Sequence, residues 1–250
     1  MELFFLDWLN NSKNLMIRYF LIAGISYLIF YIIFKNHFIQ KKIQNRFLNW
    51  GRIKNEILNS LVTILIFAAI ATLVIKYLFS YTNLYSNTTD YSKLYYIMTF
   101  PIMIVIHDTY FYWSHRLMHH PKLFKHVHLV HHKSTNPSPW SSYSFHPLEA
   151  LIEAGIIPLI AFTIPVHKSP LIFFLAFQFI YNVYGHLGFE LYPKNFHKTY
   201  IGKWVNTSVA HNLHNRFFNK NYGLYFLFWD RITGTIDKKY DKKFEQITGK

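Results

Sequence analysis

Long apolar runs separated by short polar segments set the plan of this chain, and the lengths of the runs define its elements. Residues 15–34 form the first run, about the 20 residues that a helix needs to cross a bilayer. It is longer than the apolar core of a secretory leader and no small-residue cleavage site follows it, so it is expected to be a retained span. Before it, residues 1–14 are mixed in character, with Phe4, Phe5 and Trp8 suited to an interface. A second run covers 57–79, with Lys76 able to snorkel from its far end. A third covers 94–113 and carries Pro101, a candidate kink. Two shorter runs, 148–164 and 171–185, flank residues 165–170 and predict a helical hairpin whose arms are short enough to be only partly inserted. Residues 134–144 are rich in Ser and Pro and read as a loop. Residues 191–250 are polar, Lys-rich and aromatic and read as a cap, with 237–250 as a basic C-terminal tail. The fold class predicted is all-α, a polytopic membrane helical bundle of about four to five membrane elements, with 1–93 as N-terminal spans.

Composition agrees with a membrane chain. Hydrophobic residues reach 52% and charged residues only 15%, which is low for a soluble protein. The net charge of +14 lies between the apolar runs, which favours anionic lipid over nucleic acid as its counterpart. Residues 35–54 carry Lys35, Lys41, Lys42, Arg46, Arg52 and Lys54 with no acid before Glu56, whereas 80–93 is nearly uncharged. The first segment is therefore expected on the cytoplasmic side and the second outside, giving an N-outside, C-inside topology. The chain has no cysteine, which excludes thiolate metal sites, thiol catalysis and disulfides and leaves the redox compartment open.

Histidine is the residue that changes the picture. Residues 107–132 hold eight of the 15 histidines. Two spaced groups stand out: His115 and His119 in HRLMH, then His128, His131 and His132 in HLVHH. At i, i+3 and i, i+4 on a helix these imidazoles share a face. A single helical histidine is more often a satisfied packing residue. Five at this spacing, followed by His186 and by His211 and His214 in HNLHN, point to metal ligation. One structural zinc takes four ligands, so eight imidazoles imply two metals. There is no HExxH helix for a hydrolytic metal. His107 and Asp108 precede His115 by two turns, about 80° off its face, and are expected around the ligands rather than among them. His120, His126 and His146 read as outer donors or interface residues, and His37 and His167 as loop residues without a role. Glu149, Glu190 and Asp230 are the carboxylates best placed to orient an imidazole. Arg116, Lys125, Lys133 and Arg216 suit lipid headgroups, an acidic partner or plain solvent.

These boxes, with the Gly185–His186 pair, Tyr112 and Trp113, HPLE at 146–149, NYG at 221–223 and WDRITGT at 229–235, resemble the sterol desaturase and fatty acid hydroxylase superfamily of membrane di-iron enzymes. The resemblance covers about residues 95–236. It implies a catalytic unit over 94–236 and a cytosolic di-metal cap in which His115, His119, His128, His131, His132, His186, His211 and His214 hold two Fe ions. It also implies O2 as co-substrate and hydroxylation or desaturation of a membrane lipid, of sterol or fatty acyl type, entering past aromatics such as Phe111 and Tyr112. Electrons would come from an external donor of reductase, ferredoxin or cytochrome type, since no haem-binding domain is expected within the chain. Asn215 departs from the pattern, because the last box of this superfamily usually ends in His-His. The competing readings are a metal-binding membrane protein or transporter and a family member with lost activity. Transport would place ionisable ligands near mid-bilayer in several spans, whereas here they cluster at one end.

Overall fold

The computed structural model describes residues 2–249; Met1 and Lys250, the ends of the first and last expected segments, lie outside them. Helix α1 runs over Glu2–Tyr27 and continues through a wider π turn, Leu28–Ile33. It begins at Glu2 rather than near residue 15, so residues 2–14 are continuous with the first span. No Gly or Pro interrupts that stretch, and two of its polar side chains bond to α3 (Trp50–Thr72): Trp8 Nε1 donates to Leu65 O and Asn11 Nδ2 to Thr72 Oγ1. After a short turn of helix, α2 (Lys35–Phe38), the chain enters α3 (Trp50–Thr72), capped by Asn49, whose side chain accepts from Arg52 N. It too ends in a π turn, Leu73–Tyr77. Helix α4 (Lys93–Met118) is capped by Ser92, carries Pro101 within it, and delivers the first histidine box at its last turn. Among the described residues three helices, at Glu2–Ile33, Trp50–Tyr77 and Lys93–Met118, are long and apolar enough to cross a membrane.

The expected histidine-rich helix is separated from α4 by Pro121, which starts a new helix with His120 as its cap, and breaks again at His128, giving α5 (Pro121–Val127) and α6 (Leu129–His132). The Ser/Pro-rich loop coils into a 3-10 turn, Pro139–Tyr143, and is buried rather than exposed. It can be buried because its hydroxyls are met: Glu56 accepts from Ser134 Oγ at 2.8 Å and from Ser138 Oγ at 2.9 Å. The first hairpin arm is two short helices, α7 (Pro147–Ala154) and α8 (Ile156–Thr163), and the second is α9 (Lys168–Gly185). A side chain at the intervening Gly155 would place its Cβ 2.4 Å from Tyr110 Oη, so the break and the glycine go together. Two dipeptide strands, β1 (Leu84–Tyr85) and β2 (Val166–His167), pair in parallel and tie the 80–92 loop to the start of α9. His167 donates from Nε2 to Ser86 O and caps α9 through Nδ1, a structural role the loop reading missed.

Helices α10 (Ser208–Phe217), α11 (Phe228–Ile232) and α12 (Tyr240–Thr248) form the cap. Residues 240–248, read above as part of a tail, bury Tyr240, Phe244 and Ile247 against Val209 and Leu213 of α10. The largest apolar core lies between α4, α8 and α9, around Met103, Ile160, Leu171 and Phe174. A second core joins α1, α3 and α9 through Tyr19, Ile64 and Phe179. Spans α1 and α3 are antiparallel, with Asp7 paired to Lys76 at one end of the bundle. At the opposite end the basic segment meets the cap: Gln44 Nε2 donates to Thr135 O and to Asn212 Oδ1.

Candidate metal centre

All eight histidines of the boxes converge at that end. His115 sits in the last turn of α4 and His119 at its C-cap, His128 joins α5 to α6, and His131 and His132 belong to α6. His186 caps the C-terminus of α9, and His211 and His214 lie one turn apart on α10. They fall into two groups. His115, His119, His128, His132 and His214 form one, and His131, His186 and His211 the other, with the donor atoms of each within 4.8 Å of one another. The groups abut, since the rings of His128 and His131 are 5.2 Å apart.

The outward nitrogens of four of these rings are tied to the protein. Nδ1 of His115 donates to Tyr222 O at 2.9 Å, that of His186 to Asn182 O at 2.8 Å and that of His214 to Lys220 O at 2.7 Å. Glu149 Oε1 stands 2.8 Å from His128 Nδ1. A proton held on Nδ1 leaves the inward Nε2 as a bare lone pair. The inward nitrogens face each other: Nε2 of His115 and His128 are 3.0 Å apart, His119 and His132 3.1 Å, His132 and His214 3.2 Å, His186 and His211 3.1 Å. Lone pairs so close repel unless a cation lies between them. Ligands about 2.1 Å from a shared ion stand about 3.0–3.4 Å apart for octahedral to tetrahedral angles, so the donor set fits metal. Burial pushes His128, His131, His132, His211 and His214 well below the usual imidazole range, with neighbouring rings adding to the effect, and so keeps them in the neutral form that binds metal.

The remaining candidates take supporting places. His107 is buried but outside both groups, with Nδ1 3.0 Å from Tyr225 Oη. Asp108 accepts from the amides of Tyr225 and Phe226, and Asp230 from those of Tyr222 and Gly223 and from Thr235 Oγ1. Together they fold the 222–226 loop that presents the Tyr222 carbonyl to His115. Glu190 accepts from Val209 N at the start of α10 and from Tyr184 Oη. Of the three carboxylates expected to orient an imidazole, only Glu149 does so directly; the other two act through the main chain. His146 is no outer donor to the centre: its Nδ1 accepts from Leu148 N and caps α7. His120 caps α5, and His126 and His37 are exposed. Asn215 is fully buried, with its side-chain amide against the His131 ring. Sequence reasoning missed the carbonyls of Asn182, Lys220 and Tyr222, which carry no side-chain signature, and Glu153, which lines a cavity opening from the histidines beside Phe111, Phe145 and Ile157.

Fold and site together define a helical membrane protein with paired clusters of histidines able to hold metal. The family model for fatty acid hydroxylase matches residues 100–235, and the chain belongs to that family, within the sterol desaturase and fatty acid hydroxylase superfamily. Among similar proteins, the Delta(7)-sterol 5(6)-desaturase of Aspergillus fumigatus is 32% identical over 169 residues, 67% of this chain and 46% of that protein. A probable Delta(7)-sterol 5(6)-desaturase of Neurospora crassa is 29% identical over 236 residues, 94% of this chain and 63% of that protein. The lathosterol oxidase of Rattus norvegicus is 32% identical over 170 residues, 66% of this chain and 54% of that protein. The chain thus spans about half the length of the curated relatives it matches. No solved structure matches it.

Proposed function

We propose that the chain is an O2-dependent membrane oxidoreductase that desaturates or hydroxylates a lipid of the sterol type, with two iron ions held by His115, His119, His128, His132 and His214 on one side and His131, His186 and His211 on the other. The observation that carries this reading is the convergence of eight imidazoles, seven of them buried, with His115, His128, His131, His186 and His211 on the wall of a largely apolar cavity. Its similarity to sterol desaturases and to lathosterol oxidase favours desaturation over hydroxylation. Residues 94–236 are the catalytic unit in this reading, carried by the spans in 1–93 and closed by 237–250.

When bound, such a metal pair supplies activation of dioxygen. Desaturation breaks two C–H bonds, forms one C=C bond and turns O2, two external electrons and two protons into two waters; hydroxylation inserts one oxygen atom and releases the other as water. The chain's own residues do the rest. Carbonyls of Asn182, Lys220 and Tyr222 fix the tautomer and aim of the rings they bond. Phe111, Phe145 and Ile157 offer an apolar wall that holds a C–H bond near the histidines and keeps bulk water out. The electron donor is a separate reductase, ferredoxin or cytochrome-type protein. The surface hollow lined by Arg46, Arg216 and Lys243, next to α10, suits an acidic face on that donor.

Purified protein, assayed for metal and then supplied with lathosterol, a reduced ferredoxin and air, tests the reading. We expect two irons per chain and a product two hydrogens lighter or one oxygen heavier, lost under argon and lost in His131→Ala. His37→Ala should change neither metal nor product. Full iron and full turnover in His131→Ala would sink the assignment, and zinc without O2-dependent product would sink the activity.

A further inference from the structure

One buried carboxyl takes no part in holding the histidines. Glu153 lies on the inward face of α7, one turn beyond Glu149, and is 8% exposed. Among the described residues no hydrogen bond or ion pair reaches its side chain, and that side chain lines the cavity that opens from His115, His128, His131 and His186. Leaving a carboxyl in apolar surroundings without a partner is costly in either protonation state. Glu149, the other acid in this wall, is already engaged with His128. Arg18 also borders the cavity, but its guanidinium is engaged by Tyr143 and lies over the Phe179 ring. Gln178 is a second polar group of the wall. The cavity therefore holds a hydrogen-bond acceptor with nothing to accept from, about 6 Å along the helix from the carboxyl that touches the histidines.

We propose that Glu153 accepts a hydrogen bond from a hydroxyl group of the lipid substrate and so selects hydroxylated lipids over those without a free hydroxyl. The proposal rests on the lipid-oxidase reading above and narrows its substrate class. Hydroxyl donors satisfy the carboxyl; a hydrocarbon leaves it unpaired, and an ether brings no donor to it. A site built around one hydroxyl rejects analogues that lack it, because its own buried group is then stranded.

The test is equilibrium binding to the metal-loaded protein in detergent, without oxygen, using lathosterol and stearyl alcohol and the methyl ether of each. Wild type should bind at least one of the alcohols about tenfold or more tightly than its ether. In Glu153→Leu that ratio should fall to about one, while Glu153→Gln, which keeps an acceptor oxygen, should retain most of it. Metal content and circular dichroism establish that both variants are folded. Equal binding of alcohol and ether by wild type, an unchanged ratio in Glu153→Leu, or no binding of either alcohol would overturn the proposal. Product analysis in air separates the two readings. Full-rate oxidation of an ether leaves the oxidase reading standing and overturns this one, whereas alcohol-selective binding with no O2-dependent product from any lipid does the reverse.

Discussion

Five imidazoles surround one of the two convergence points and three the other, and Asn215 lies beside the smaller group. An amide offers a neutral oxygen, a harder and weaker donor toward iron than imidazole. The smaller group should therefore hold its metal more loosely. Asn215→His supplies a further nitrogen on the same turn as His211 and should tighten the second metal without loss of the first, which metal titration of both forms reads directly. Identical affinities would mean that residue 215 does not face the metals. The depressed imidazoles also set a pH dependence. Their folded values lie well below the unfolded value of about 6.5, so their contribution to stability is complete above that pH and is lost as pH falls below it. Each such group costs up to about 1.4 kcal/mol per pH unit. Acidifying the metal-free protein from pH 7 to pH 5 should lower its melting temperature steeply, and a flat profile would contradict the burial of these rings. At this scale the ligand candidates were legible, because i, i+3 and i, i+4 spacing is a property of side chains. Their carbonyl partners were not, since any residue provides a carbonyl.

Helices follow from apolar runs, but where they begin and what covers them depend on distant partners. Residues 2–14 looked interfacial and are helical because α3 supplies acceptors for Trp8 and Asn11. Residues 134–144 read as a Ser/Pro-rich loop and are buried because Glu56, which is 78 residues from Ser134 in sequence, takes up two serine hydroxyls. No local pattern reports such a pairing. The loop leads directly out of α6, with Ser134 N donating to His131 O, so Glu56 bears on the second histidine box. Glu56→Ala strands two buried hydroxyls, each costing about 1–3 kcal/mol. We expect a lower melting temperature, faster proteolysis within 134–144 and reduced metal content, with Glu56→Gln milder in all three. If Glu56→Ala unfolded at the wild-type temperature and kept its metal, the loop would be held by something other than this carboxylate.

The whole molecule has two unlike ends. One gathers the basic 35–54 segment, the histidines and the cap, joined through Gln44 to Thr135 and Asn212 and through the Arg46 carbonyl to Asn136. The other holds Asp7 with Lys76, and the nearly uncharged 80–92 loop pinned to β2. Lys and Arg in short segments beside spans are retained on the cytoplasmic face, because carrying them across works against the translocation machinery and the membrane potential. From that asymmetry we predict the histidine end in the cytoplasm, where reduced electron donors are made, and the 80–92 loop outside. The chain has no native cysteine, so single cysteines report side without a background. Asn45, Ser86 and Lys238 are all exposed and suit this use. A membrane-impermeant maleimide added to intact cells should label Ser86→Cys and spare Asn45→Cys and Lys238→Cys, and in inverted vesicles the pattern should reverse. Labelling of Ser86→Cys and Asn45→Cys from the same side would break the two-ended arrangement itself. Labelling of Asn45→Cys and Lys238→Cys from outside, with Ser86→Cys spared, would keep the fold and invert the orientation, placing the histidines where no cytoplasmic donor could reach them.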